Sequence, residues 1–416
     1  MSASKVFSLE GKGLKLDTAE DIAPHIESLK DNTDVEEVHF LGNTLGIGAS
    51  QALAEVLKTN KNLKVANFAD VFTGRLLAEI PLALDALLQA LLTLPDLHTV
   101  NLSDNAFGLN TQAPLVSFLS EHTPLEHLIL NNNGLGPHAG ILIADALTRL
   151  AAKKKEAGAA PLRTVVCGRN RLENGSMEAW ARAYAAHSDV THIKMVQNGI
   201  RQEGVSHLLK VGLKEARGLR VLDLQDNTFT AMGARALSDI IHEWEELREL
   251  GVGDCLLSAR GGRMLGEALQ AGKNSNLEVL RLQFNDIDAK GLKSLVTAAD
   301  DHLPNLRRVE LNGNKFNEDD SSVDALRDTL LERRKERGPP LDEGEHDDWG
   351  LDELDELDDE SEDEEEEVSG EEEEEEKEEV REKEVERADE AEQENVALEE
   401  SQSVDDLAEQ LSKTGI

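Results

Sequence analysis

The chain has 416 residues, 43 basic against 84 acidic, for a net charge of −41, and two cysteines. It has no charged-then-apolar opening, no run of about 18 apolar residues and no prenylation signal in the closing Lys-Thr-Gly-Ile, so a leader, a membrane span and a lipid anchor are not expected and a soluble, intracellular protein is. The charge is uneven: residues 341–400 hold 35 acidic and 4 basic residues, a net −31, the last 16 residues add −2, and residues 1–340 carry −8.

From the start of the chain one phrase recurs, apolar-x-x-apolar-x-apolar-x-x-Asn-x-apolar. A degenerate opening copy (Phe7, Leu9, Lys12, Leu14) is followed by Val35/Val38/Phe40/Asn43/Leu45 and by a copy from Leu63 with Val71 in the ninth place. Next come Leu97/Val100/Leu102/Asn105/Phe107, Leu125/Leu128/Leu130/Asn133/Leu135, Leu162/Val165/Cys167/Asn170/Leu172 and Val190/Ile193/Met195/Asn198/Ile200. The series closes with Leu219/Leu222/Leu224/Asn227/Phe229, a copy from Leu247 with Cys255 in the ninth place, Leu277/Leu280/Leu282/Asn285/Ile287 and Leu306/Val309/Leu311/Asn314/Phe316. Successive ninth positions are 28 to 37 residues apart, which leaves room for a full helix after each strand. Helical spacing is visible at Leu53/Val56/Leu57, Ile143/Leu147/Leu150, Val205/Leu208/Leu209 and Leu237/Ile240/Ile241.

One short strand and one helix cannot bury their apolar faces alone, and stacking on identical neighbours solves this. The expected fold is an α/β leucine-rich repeat solenoid of about eleven strand-loop-helix repeats of 28–37 residues over residues 1–335, followed by an acidic, largely disordered tail over 336–416. The runs of glutamate at 364–367 and 371–376 offer nothing apolar to offset the entropy of ordering. Truncation after about Pro340 is therefore expected to preserve activity at moderate salt. The ninth-position asparagines are expected to form a ladder between coils, since a buried amide without partners costs about 1–3 kcal/mol. Cys167 and Cys255 are not repeat neighbours and are expected to stay reduced.

Function is then confined to surface positions. The eighth position reads Gly42, Asp70, Asp104, Asn132, Arg169, Gln197, Asp226, Asp254, Phe284 and Gly313, and its charged and amide side chains suggest a binding rim; helix capping explains its aspartates equally well. The long step before Asn105 contains Asp70-Val71-Phe72-Thr73-Gly74-Arg75, with Phe72 as anchor, Gly74 as hinge and Pro81 opening the next helix, so Arg75 is expected to be displayed at the rim. The step of 37 before Asn170 holds Lys153-Lys154-Lys155 and reads as a helix extension and loop. No Walker A loop, His-Glu-x-x-His or paired Cys-x-x-Cys occurs. The histidines are scattered, with His39 and His192 at exposed strand positions, and no active site is expected in the chain itself.

Several segments resemble the Ran GTPase-activating proteins beyond the generic repeat: Phe72-Thr73-Gly74-Arg75, Leu102-Ser103-Asp104-Asn105-Ala106-Phe107-Gly108, Asn132-Asn133-Gly134-Leu135-Gly136-Pro137, Cys167-Gly168-Arg169-Asn170-Arg171-Leu172-Glu173-Asn174-Gly175-Ser176, Val196-Gln197-Asn198-Gly199-Ile200 and Leu224-Gln225-Asp226-Asn227-Thr228-Phe229. The resemblance covers residues 5–330 and, with the acidic tail, is to the short fungal-type form. It implies a crescent, monomeric and cytoplasmic or perinuclear, that docks its loop rim on Ran in the GTP form, with room for a Ran-binding protein, and needs no cofactor of its own; GTP and magnesium belong to the partner. It further implies that Asn132 holds the partner's catalytic glutamine, that Arg75 supports the interface without entering the nucleotide site, and that Asp70, Asp104, Arg169, Arg171, Gln197, Asp226 and Asp254 contact the GTPase as a group. No nucleic acid or membrane is expected as partner. The alternatives are an acidic leucine-rich histone-binding or chaperone-type protein, which would leave the Phe-Thr-Gly-Arg loop unexplained, and a non-catalytic interaction scaffold.

Overall fold

A coil made of one three-residue strand and one helix has no interior of its own, so its order depends on the coils beside it. The computed structural model describes residues 4–108, 111–339 and 348–358. Its strands are β1 (Val6–Ser8), β2 (Lys15–Leu16), β3 (Glu37–His39), β4 (Thr44–Leu45), β5 (Val65–Asn67), β6 (Thr99–Asn101), β7 (His127–Ile129), β8 (Thr164–Val166), β9 (His192–Lys194), β10 (Val221–Asp223), β11 (Glu249–Gly251), β12 (Val279–Arg281), β13 (Arg308–Glu310) and β14 (Gly350–Leu351). All but β2 and β4 form one parallel sheet in chain order, and those two pair with each other.

The register advances by one repeat per strand. Phe7, Val38, Ala66, Val100, Leu128 and Val165 stand opposite one another, and the row continues through Ile193, Leu222, Leu250, Leu280 and Val309. Each of these residues is buried in the core, and the helices close the other side of it through Leu53, Ile143, Leu147 and Leu237. Where the repeat step is 37, the helix Gly136–Ala157 runs for 22 residues, as the spacing predicts. Lys154 is not one of its solvated charges. It is 3% exposed, and its Nζ donates to the Thr123 and Ala160 carbonyls at 2.8 and 2.6 Å, while burial draws its pKa down to about 8.

The asparagine ladder forms as expected. Asn133 Nδ2 donates to the carbonyls of Leu102 and Leu130 at 3.0 and 3.1 Å, and its Oδ1 accepts from the Asn105 N–H at 2.9 Å. Each amide thus joins its own coil to the one before it; Asn170, Asn198, Asn227, Asn285 and Asn314 repeat the pattern. Cys255 substitutes a weaker donor, its Sγ lying 3.3 Å from the Gly253 carbonyl. Both cysteines are buried and free, and burial raises the Cys167 thiol to about 12, which keeps it unreactive.

The folded repeats continue beyond the boundary expected at residue 335. The helix Ser321–Arg337 follows β13, and β14 then adds a twelfth strand to the sheet, drawn from the first residues of the acidic segment. Asp352 accepts from the Leu311 and Asn312 N–H groups at 2.8 and 3.0 Å, Arg307 lies over the Trp349 ring at 5.8 Å, and Leu354 is 7% exposed. These residues cover the edge that β13 would otherwise present, as a capping repeat must. The remainder of the acidic run, expected to be disordered, lies outside the described residues. The expectation for a chain ending at 340 changes accordingly: losing this cap should remove about 3 kcal/mol of stability, measured as a lower urea midpoint, whereas a chain ending after Asp358 should unfold like the full-length protein.

A second stability prediction comes from His122, which is 2% exposed. Its Nε2 donates to the Leu97 carbonyl at 2.7 Å, and Nδ1 is buried without a partner. Burial pushes its pKa down to about 4, below its unfolded value, so the unfolded chain binds a proton that the folded chain refuses between about pH 6.5 and 4. Stability from this group is complete above pH 6.5 and falls by about 3 kcal/mol as the pH drops to 4. Urea midpoints measured across that range should have a shallower slope in His122→Gln than in the wild type.

Candidate functional site

After each strand the chain turns toward its helix, and the eighth position of the repeat sits at this turn. The backbone there is left-handed in coil after coil. φ is 46° at Asp70, 60° at Asp104, 52° at Asn132, 55° at Arg169, 54° at Gln197, 56° at Asp226, 51° at Asp254 and 54° at Phe284, with Gly42 and Gly313 at 75° and 70°. Glycine adopts this conformation freely, and Asn and Asp do so more readily than other side chains. The turn alone therefore accounts for every residue in the row except Arg169, Gln197 and Phe284. Helix capping does not explain the aspartates, because the N-caps of the helices that follow Asp70, Asp104, Asp226 and Asp254 are Glu79, Thr111, Phe229 and Leu257.

The row is held firmly. The N–H groups of Asp104, Asn132, Arg169, Gln197, Asp226 and Asp254 each donate to a carbonyl of the next coil at 2.8–3.0 Å, so neighbouring side chains project one strand spacing apart, about 4.8 Å. Asn132 stands between Asp104 and Arg169. Its Nδ2 donates to Asp104 Oδ1 at 2.9 Å, an orientation the chemistry requires because a carboxylate only accepts. Both residues are exposed. The bond fixes the plane of the carboxamide and leaves Oδ1 and the second N–H for a partner.

Arg75 departs from the sequence expectation. Its spacing suggests a charge displayed at the rim, yet its side chain is 7% exposed and ion-paired with Asp17. Nε donates to Thr44 Oγ1 at 2.8 Å, and Nη2 to the carbonyls of Thr44 and Leu16 at 2.9 and 3.3 Å. The loop forces this inward turn. Phe72 is buried beside Phe107 with ring centroids 6.3 Å apart, the Thr73 hydroxyl donates to Asp70, and Gly74 at φ 78° reverses the chain. Gly46 leaves the space, since a Cβ there would lie 2.6 Å from the Asp17 carbonyl oxygen and 3.2 Å from Arg75 Nη1. The guanidinium beside Asp17 holds its carboxyl below the usual range. Leu76, Leu77 and Leu82 take the outward positions instead, at 70%, 64% and 59% exposed. Asp70 is likewise engaged in shaping this loop.

The other expected rim residues fall where the repeat puts them. Arg169, Arg171 and Glu173 are all exposed and all left-handed, at φ 55°, 54° and 51°. The preceding coil makes the same alternating turn with Asn132, Gly134 and Gly136. Two arginines and a glutamate in that path strain the backbone by about 1 kcal/mol each, which glycine would avoid, and strain retained at an exposed loop points to function. Burial and a hydrogen bond shared with Asp254 raise the Asp226 carboxyl pKa, against the opposing charge of Arg169.

Sequence reasoning missed Asp17 and Thr44, the residues that receive Arg75; no local pattern links positions 58 and 31 residues apart. It also passed over Phe284 and Leu256, whose signal was a bulky apolar residue at a turn position. His39 and His192 are half buried rather than exposed. Among the described residues no cluster of His, Cys, Asp and Glu could hold a metal, and no helix is long and apolar enough to cross a membrane.

A Leucine Rich repeat family model matches residues 218–238 and 273–296. The chain is similar to Ran GTPase-activating protein 1 of Saccharomyces cerevisiae, 41% identical over 330 residues that cover 77% of this chain and 81% of the yeast protein. It is 36% identical over 319 residues to the Ran GTPase-activating protein of Drosophila melanogaster, covering 76% of this chain and about half, 53%, of the fly protein. Among solved structures, an internalin from Listeria monocytogenes aligns over 71% of this chain and 78% of its own, at 15% identity and a TM-score of 0.38.

Proposed function

The chain belongs to the Ran GTPase-activating proteins and stimulates GTP hydrolysis by Ran, and from that premise we propose that it acts in trans, contributing a positioned amide and no active site of its own. The repeat edge carrying Asp104, Asn132, Arg169, Gln197, Asp226 and Asp254 docks on Ran in its GTP form. GTP and magnesium stay with the GTPase, and the activator needs no cofactor. It works as a cytoplasmic or perinuclear monomer in nucleocytoplasmic transport.

Phosphoryl transfer requires a positioned water and stabilised charge more than covalent help, and activators supply an arginine or orient the GTPase's glutamine. The observation that carries the second route is the Asn132 amide, oriented by the 2.9 Å bond to Asp104 and exposed at the rim. Its free Oδ1 accepts from the partner glutamine's amide and holds that side chain against the attacking water. Arg75 is already engaged by Asp17, Thr44 and Leu16, so it supports the interface by fixing the inserted loop. A histone-binding reading would centre on the acidic tail and leave the strained rim without a purpose.

The test is single-turnover hydrolysis by Ran and by several other GTP-loaded small GTPases, with and without this protein. Stimulation of Ran alone is expected. Hydrolysis of free GTP by the chain unaided would overturn the trans mechanism.

A further inference from the structure

We propose that Leu256 and Phe284 form an apolar contact at the far end of the rim that sets affinity for GTP-bound Ran without reaching the nucleotide; this rests on the activator reading above.

The two residues lie on consecutive coils, tied where the Asp254 N–H donates to the Gln283 carbonyl at 2.8 Å. Both are left-handed, at φ 55° and 54°, and both are exposed, at 52% and 43%. Neither local backbone nor core packing explains this combination. A bulky side chain strains a left-handed turn, and exposure forgoes the hydrophobic gain that would offset the strain. Phe284 is also seated: a Cβ on Gly313 would lie 2.0 Å from its ring, so the glycine provides the space in which the ring rests. A preorganised aromatic one coil from an exposed leucine, with exposed Asp254 and Asp286 at the neighbouring turn positions, has the make-up of an interface centre with a polar rim.

The occupant follows from continuity. Phe284 is in the same eighth-position row as Asn132, and the ladder of N–H to carbonyl bonds joins them without interruption. Five coil steps separate them, about 24 Å. A globular domain of about 200 residues is roughly 40 Å across, so a GTPase seated with its nucleotide at Asn132 brings its periphery, and not its reacting atoms, to Leu256 and Phe284. Truncating these side chains should therefore act on KM and spare kcat.

The experiment compares wild type, Leu256→Gly and Phe284→Ala by thermal unfolding, by steady-state stimulation of Ran·GTP and by sedimentation velocity. Glycine suits φ 55°, so Leu256→Gly should keep or raise Tm while KM for Ran·GTP rises about 10-fold and kcat stays within about twofold; Phe284→Ala should raise KM similarly. A variant that helps the fold and weakens the encounter separates binding from structure. The proposal is overturned if KM is unchanged in both variants, if kcat falls at constant KM, if lost activity merely tracks a lower Tm, or if the variants abolish self-association with KM unaltered. Wild type that fails to stimulate Ran removes the activator reading and this contact together, whereas an active wild type matched by both variants removes this contact alone.

Discussion

Asn132→Gly is expected to abolish stimulated hydrolysis by Ran while leaving the repeat fold and most of the binding intact. Glycine is the informative substitution because Asn132 sits at φ 52°. Alanine removes the same amide but adds about 1 kcal/mol of backbone strain, so Asn132→Ala should lose the same activity and also a little thermal stability. Activators of small GTPases accelerate hydrolysis by about 10³–10⁵-fold, and loss of glutamine positioning should remove most of that factor. Asn132→Asp keeps the shape but replaces the donor with a second carboxylate facing Asp104, so it should not rescue. Binding of Ran loaded with a non-hydrolysable GTP analogue should change little in any of the three. Wild-type turnover by Asn132→Gly would end the assignment.

Arg75→Ala is expected to lower kcat/KM by about 100-fold, the scale of a misplaced loop, although its guanidinium is turned away from the rim. The side chain clamps the inserted loop to Asp17, Leu16 and Thr44, and its guanidinium is bonded at Thr44, three coil steps or about 14 Å from the Asn132 coil. Asp17→Ala should shift activity in the same direction by less, and the double variant should be no worse than Arg75→Ala alone, because both changes open one clasp. Lysine should not restore function, since one ammonium with three N–H donors at a single point cannot reach the four acceptor atoms of Asp17, Thr44 and Leu16 that the planar fork spans. Full loss in Arg75→Ala with Asp17→Ala fully active and the same Tm for both would instead place the arginine in the partner's nucleotide site.

The contrast between Asn132 and Arg75 indicates which parts of the site could be read in advance. The place of Asn132 follows from phase, since once Asn133 is recognised as a ladder residue its neighbour must project from the edge; its role among the row came from the resemblance to the Ran GTPase-activating proteins. Asp104, Arg169, Gln197, Asp226 and Asp254 are placed by the same argument. Arg75 lies in an insertion, where the phase is lost, and its direction depends on Gly74, Gly46 and an aspartate 58 residues earlier. The strain in the row was invisible for a related reason. An aspartate at a turn looks like a cap or a contact, and only the φ values of the folded chain separate residues the turn favours from Arg169, Gln197 and Phe284, which it does not.

By itself the sequence determined the repeat, its strand and helix phases, the stacked apolar rows and the asparagine ladder, because each is a local pattern whose burial follows from its period. Tertiary structure decided the rest. Twelve strands pair instead of eleven because Leu351, Asp352 and Leu354 meet an open sheet edge that no pattern within an acidic segment discloses. Arg75 points inward because the space and the acceptors for it exist only after the first coils have stacked. Periodicity specifies which face is buried, whereas long-range closure between coils specifies which polar groups remain free to meet a partner.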